Sequence, residues 1–106
     1  MVRNMARFNL YVIPGDIYVG SANSITYARR KAVATLKEET YADVWYEVEI
    51  REGMNPVGTV EYGVNDMWMY TSRTKSGGRV YRLFPFGNII PLKEALRREA
   101  LRKAQK

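Results

Sequence analysis

The chain has 106 residues and a mass of 12.3 kDa, with 46% apolar residues, 26% charged residues and a formal net charge of +6. These values are typical of one globular domain spanning residues 1–106, and they exclude a disordered or low-complexity chain. Because the chain contains no cysteine and no histidine, disulfides, thiolate chemistry, iron–sulfur clusters and imidazole metal sites are excluded.

The positive charge is concentrated at the C-terminus. Residues 1–91 carry eleven basic and nine acidic residues, whereas residues 92–106 carry six basic and two acidic residues. Such asymmetry favours acidic partners, of which nucleic acid is the first candidate.

The N-terminal segment is not expected to be a signal peptide. Asn9 and the Pro14-Gly15-Asp16 segment interrupt its apolar run, whereas the apolar region of a signal is continuous. No stretch reaches 18 apolar residues, so no membrane span is expected. The lack of cysteine fits a reducing compartment, and we predict a cytoplasmic protein.

A hairpin and a helix are predicted next. Pro14-Gly15-Asp16 separates two β-prone segments, Phe8–Ile13 and Ile17–Val19, because proline and glycine suit adjacent corners of a turn. Ser21 or Ser24 can cap a helix over about 24–39. Its predicted apolar stripe, at spacings of three and four, is Ile25, Ala28, Ala32, Val33 and Leu36.

Four strands then follow. Val44–Ile50 and Val60–Val64 alternate apolar and polar residues, with turn residues at Gly53–Pro56 between them. Two further strands, Met67–Thr71 and Val80–Phe84, flank a tip at Lys75–Gly78, which predicts a hairpin with a loop longer than two residues.

The last element is a basic helix. Pro85–Asn88 breaks the run of strands, and Pro91 suits the first helical position before Leu92–Gln105. The helix has a narrow apolar stripe from which Leu101 departs, so it either docks by its first two turns or packs against a partner. The predicted fold is α+β, in the order ββ-α-ββββ-α, with a single antiparallel sheet covered by one helix.

The sequence does not favour catalysis. No serine lies in a nucleophile-elbow pattern, and no glycine-rich segment matches a phosphate-binding loop. Glu47 and Glu49 share a predicted strand face, with Asp43 and Glu61 nearby if neighbouring strands pair, but a solvated outer face explains them better. We therefore predict no catalytic residues, no metal site and no cofactor.

Nucleic-acid binding is the most specific prediction. The segment 67–84 mixes aromatic rings, on which bases stack, with cations that contact phosphates, and the C-terminal helix adds further cations. Alternatively, the rings fill the core, and the helix cations only complement the helix dipole. The predicted nucleic-acid-binding residues are Trp68, Tyr70, Arg73, Lys75, Arg79, Tyr81, Arg82, Arg97, Arg98, Arg102 and Lys103.

Protein binding is the second class of function that the sequence allows. The chain has eight tyrosines and two tryptophans, residue types that give large contact area at low entropic cost. A small sheet also has edges that pair with a partner strand, and the C-terminal helix with its off-stripe Leu101 suits a two-fold dimer.

The layout of the sequence is Ser24–Ala32 running into Val44–Ile50, and then Gly78–Leu83 before Gly87-Asn88. It resembles that of small uncharacterised proteins encoded by phages and prophages of Gram-positive bacteria. The resemblance implies a small accessory protein that acts by binding nucleic acid during phage development, or by inhibiting a host protein such as a defence effector. It supplies no catalytic residue.

Overall fold

A computed structural model describes residues 7–38, 46–63, 67–74 and 77–105 of the protein. Within these described residues it confirms the α+β fold, with one antiparallel seven-stranded sheet in the order β2-β1-β3-β4-β5-β6-β7 and two helices. The strands are β1 (Phe8–Ile13), β2 (Ile17–Ala22), β3 (Glu47–Glu52), β4 (Asn55–Gly63), β5 (Met67–Thr74), β6 (Gly77–Leu83) and β7 (Ile89–Pro91), and the helices are α1 (Ile25–Leu36) and α2 (Leu92–Ala104).

Helix α1 begins and packs as its sequence dictates. Of the two candidate serines, Ser24 is the cap, since its hydroxyl accepts a hydrogen bond from the Tyr27 backbone N–H at 3.1 Å. The predicted stripe is buried, except that Ile25 is only partly so. Ala28 and Ala32 lack bulk, which brings the helix close to strands β1 to β4. We call the covered side of the sheet the α1 face.

The main core lies between α1 and this face. Leu10 and Val12 of β1, Val48 and Ile50 of β3, and Val60 of β4 are all completely buried there. Their alternation with polar residues is the period of two expected for a sheet with one buried side. Fully burying each such side chain contributes about 1.5–3 kcal/mol, so the α1 face supplies most of the stability of the fold.

Helix α2 packs on the opposite side of the sheet, which we call the α2 face. It contacts mainly β6 and β7, and its only buried residue is Ala95. Ala95 and the buried Met67 lie outside the main core cluster. The two described helices therefore cover opposite faces at opposite ends of the sheet. The sequence analysis predicted a helix on one face only.

Several predicted boundaries are wrong. Asn55 and Pro56 belong to β4 rather than to the preceding turn, and Pro56 is accommodated beside a bulge in the β3–β4 register. The β5–β6 ladder continues to the pair Thr74 and Gly77, so two residues separate the strands, not a longer loop. Strand β7, with three residues, was not predicted because so short a strand has no detectable period.

Other boundaries shift by a few residues. Helix α1 ends at Leu36, and Pro91 is the residue before the first residue of α2 rather than its first residue. The predicted positions Val44 and Val64 lie outside the described residues. Neither helix in the described ranges is long and apolar enough to cross a membrane.

Candidate nucleic-acid interface

The predicted aromatic and basic residues of the β5–β6 hairpin are divided between the two faces. The cross-strand pairs Trp68–Leu83, Tyr70–Tyr81 and Ser72–Arg79 lie on the α1 face. Because successive residues of a strand alternate between faces, Arg73 and Arg82 lie on the α2 face. Lys75 lies outside the described residues. The hairpin therefore does not present all of its rings and cations on one surface.

Tyr70 is a core residue, as the alternative prediction expected for part of this segment. Its side chain is 3% exposed, and its hydroxyl donates a hydrogen bond to the Val57 carbonyl at 3.3 Å. The Arg29 guanidinium lies 5.0 Å from the ring centroid. Burial raises the pKa of the Tyr70 phenol above its ordinary value, with Arg29 opposing the shift. A ring held in this way offers no free face to a base.

Trp68 and Tyr81 are half-buried on the same face. The Trp68 ring meets the exposed Tyr62 ring edge-on, with centroids 5.0 Å apart, and the Tyr81 ring lies 6.4 Å from that of Tyr70. Arg79 is exposed beside them on β6. These three predicted residues remain accessible in part, and they share the α1 face.

The predicted cations of α2 are exposed but engaged in ion pairs within the helix. Glu94 accepts hydrogen bonds from Arg97 at 2.6 Å and from Arg98 at 3.0 Å, and Arg102 pairs with Glu99. The two arginines lower the pKa of Glu94 to about 2. These cations, with Lys103, belong to the helix on the α2 face, so the sheet separates them from Trp68 and Tyr81.

A cluster that the sequence analysis missed lies on the α1 face. Tyr27 and Phe86 are 56% and 74% exposed, and the Arg30 guanidinium carbon lies 5.8 Å from the centroid of each ring. We call these residues the Tyr27–Arg30–Phe86 cluster. Two aromatic rings this exposed, with a guanidinium between them, form a platform for a planar or anionic ligand.

Helix α1 and one turn position this cluster. Tyr27 and Arg30 are three residues apart and so are neighbours on the outer side of α1. Phe86 stands in the turn after β6, which Arg29 fixes by donating from Nε to the Gly87 carbonyl at 2.8 Å. Gly87 has a φ of +102°, and a Cβ there would overlap the Thr26 carbonyl. Glycine is therefore needed for the turn to sit against α1.

The surface around the cluster is basic. Residues 17–37 contain four basic and no acidic residues, and Arg30 and Lys37 are exposed. Exposed acidic side chains near these elements include Glu38, directly after α1, and Glu52, at the end of β3. An anionic chain therefore meets net positive potential beside the two exposed rings.

The end of the α2 face on which no described helix packs is different in character. Glu47, Glu49 and Glu61 lie there on β3 and β4, and burial together with the nearby Glu61 carboxylate raises the pKa of Glu47. Arg51 pairs with Glu49 at 3.1 Å and with Asp16, and its guanidinium carbon lies 4.0 Å from the Tyr11 ring centroid. In the part of the chain that the structure describes, no group of three or more acidic residues is arranged to hold a metal ion.

Comparison with known proteins gives no assignment. No protein-family model, no curated protein and no solved structure matches this chain.

Proposed function

We propose that this protein is a non-catalytic binding protein that binds single-stranded nucleic acid through its α1 face. The observation that supports the proposal is the Tyr27–Arg30–Phe86 cluster, in which two largely exposed rings flank a guanidinium. Rings in this position stack on unpaired bases, and the exposed Arg30 and Lys37 contact the phosphates.

A single strand is favoured over a duplex by the geometry of the rings. Stacking needs an open base face, and the bases of a duplex are stacked on one another. Each stacked base contributes about 1–3 kcal/mol in proteins of this kind, whereas phosphate contacts contribute without regard to sequence. The proposed binding is therefore tolerant of sequence and sensitive to salt.

The proposal relocates the interface that the sequence predicted. Trp68, Arg79 and Tyr81 share the α1 face and extend the surface, whereas the buried Tyr70 supports it from below. Arg73, Arg82 and the cations of α2 belong to the opposite side of the sheet. A small binding protein fits the phage- and prophage-encoded proteins that the sequence resembles.

Fluorescence anisotropy with labelled oligothymidine, as a single strand and as a duplex with oligoadenosine, tests the proposal. At low salt we expect tighter binding of the single strand. Tyr27→Ala and Phe86→Ala should each weaken it by roughly 5- to 150-fold, the loss of one stacked base. Tyr18→Ala is the matched control, because Tyr18 is equally exposed but its ring packs against Tyr11 on the α2 face.

Charge gives a second readout in the same assay. Arg30→Gln should reduce the slope of log affinity against log salt by about 0.7, the value for one phosphate contact on a single strand. Arg97→Gln, on α2, should leave the slope unchanged. If the intact protein binds neither DNA nor RNA at low salt, the proposal is wrong. The exposed rings and Arg30 then serve a protein partner, because Tyr and Arg are also enriched at protein interfaces.

A further inference from the structure

A cleft lies between helix α2 and the part of the sheet formed by β5 and β6. The only buried residue of α2, Ala95, is in its first turn, whereas residues 100–104 are all exposed. The last turns of the helix therefore leave a space above the sheet of about 660 Å³, a volume typical of small-molecule sites. Its lining includes Met67 of β5, Arg82 of β6, and Leu96, Glu99, Arg102 and Lys103 of α2.

The side of α2 that lines this cleft changes from apolar to charged along the helix. At about 100° per residue, Glu99 and Arg102 lie within about 40° of the direction of the buried Ala95. A helix side that faces a sheet is normally apolar, because burying charge costs free energy. Charged residues at these two positions therefore prevent close packing of the last turns and place their charges at the cleft.

The cleft has more positive than negative charge. Arg102 pairs with Glu99, and its hydrogen bond lowers the pKa of Glu99 against the effect of burial, with the charges of Lys103 and Arg82 acting in the same direction. In the part of the chain that the structure describes, no carboxylate forms an ion pair with Arg82 or Lys103. The Arg82 guanidinium carbon lies 4.9 Å from the Phe84 ring centroid instead. Two cations of the cleft are thus left without an acidic partner.

An apolar wall lies beside these cations. Met67 is buried on the sheet side of the cleft, and Leu96 is exposed on the helix side. Methionine is unbranched and polarizable, so it adapts to ligands of irregular shape. A ligand that uses the whole cleft therefore combines negative charge with a short apolar part.

We propose that this cleft binds a small phosphate monoester with an apolar organic part. A monoester phosphate carries nearly two negative charges at neutral pH, which matches the two cations without an acidic partner. The Arg82 guanidinium can donate to two phosphate oxygens and the Lys103 ammonium to the third. The organic part then lies against Met67 and Leu96. This inference does not rest on the proposed nucleic-acid surface, which lies on the other side of the sheet.

Titration calorimetry with hexyl phosphate, inorganic phosphate and hexanol tests the ligand class. We expect one hexyl phosphate per chain, bound at least roughly 10-fold more tightly than inorganic phosphate because the alkyl part is removed from water. Hexanol, which lacks the charge, should give no measurable binding. Hexyl phosphate that does not bind, or that binds no more tightly than inorganic phosphate, overturns the proposal.

Variants of the lining residues test the two parts of the site separately. Arg82→Gln and Lys103→Gln should each weaken hexyl phosphate binding by roughly 10-fold, the loss of one charge-assisted hydrogen bond. Arg97→Gln is the matched control, because it removes the same charge from α2 outside the cleft lining. Leu96→Ser should weaken hexyl phosphate by roughly 5-fold and leave inorganic phosphate unchanged. Equal losses in Lys103→Gln and Arg97→Gln would show only general attraction to a basic protein and would contradict the proposal.

Nuclear magnetic resonance of the 15N-labelled protein locates the bound ligand. Hexyl phosphate should shift the backbone amide signals of Met67, Arg82 and Lys103, and leave those of Tyr27 and Arg30 in place. Tyr27→Ala should bind hexyl phosphate as the unaltered chain does. Shifts confined to Tyr27 and Arg30 would place the phosphate on the α1 face, and the cleft would then not be the site.

Discussion

The two described helices have almost the same length, but α1 is packed into the core and α2 is largely exposed. Six of the twelve residues of α1 are buried, whereas only Ala95 is buried among the thirteen of α2. Helix α1 is held by small apolar residues that fit the sheet closely, while α2 is a sequence of strong helix formers supported by its own ion pairs. Helix propensity thus accounts for α2 and tertiary packing for α1, and an exposed helix retains its surface for contacts outside the chain.

Introducing a charge at matched leucines should give the largest contrast between the helices. Leu36→Asp places an unpaired carboxylate in the main core and should cost about 3–5 kcal/mol, enough to unfold a domain of this size. Leu96→Asp, on the partly exposed side of α2, should cost less than about 1 kcal/mol. Urea unfolding followed by circular dichroism measures both. Equal losses would show that α2 is as essential to the fold as α1.

Removing one arginine from each helix should give an intermediate contrast. Arg29→Met leaves the Gly87 carbonyl without its buried donor and should cost about 1–3 kcal/mol of unfolding free energy. Arg98→Met on α2 removes only an exposed ion pair and should change stability by less than about 0.5 kcal/mol. Arg29→Met should also weaken binding of single-stranded DNA, since the turn that carries Phe86 is then no longer fixed. Unchanged stability in Arg29→Met would show that packing alone holds the turn.

The smallest effect is a pH dependence of opposite sign at two glutamates. The raised pKa of Glu47 means that its ionisation disfavours the folded state, a penalty absent below pH 4.5 and complete above the folded pKa. Glu47→Gln should therefore stabilise the protein near neutral pH and lose this advantage in acid. Glu94, with its pKa lowered to about 2, contributes stability above pH 4.5 that is lost as the pH falls through about 2. Glu94→Gln should therefore destabilise near neutral pH.

Thermal unfolding of both variants at neutral and acidic pH measures these shifts. Glu61→Gln tests the cause of the raised Glu47 pKa, because it removes the neighbouring carboxylate. It should give part of the stability that Glu47→Gln gains near neutral pH. Shifts of the same sign for Glu47→Gln and Glu94→Gln would contradict the assigned surroundings of one of the two.

The sequence predicted the elements of the fold better than the surface that they form. The stripe of α1 and the alternation of β3 are strong periodic signals, and both were placed correctly. Alternation also requires that neighbours such as Tyr81 and Arg82 point to opposite faces, so a stacking surface using both could have been excluded from the sequence. What no pattern contains is which face each helix covers, because that depends on how the connecting segments direct the chain.

The Tyr27–Arg30–Phe86 cluster shows the same limit. Tyr27 departs from the apolar stripe of α1, and Phe86 stands between proline and glycine in a turn, so each is recognisable as an aromatic residue outside the core. Their proximity depends on the positive φ of Gly87 and on a hydrogen bond across 58 residues. Sequence spacing alone does not indicate a contact over that distance.

The strand order also bears on how quickly the chain folds. Among the described strands there are six pairings, and all but the pairing of β1 with β3 join strands that are consecutive in sequence. Consecutive pairings close short loops at little entropic cost, so the β3–β7 meander can extend one hairpin at a time. The β1–β3 pairing must enclose α1 within a longer loop. We therefore expect substitutions at Leu83 in the meander to slow refolding and those at Val12 mainly to speed unfolding, which stopped-flow measurements distinguish.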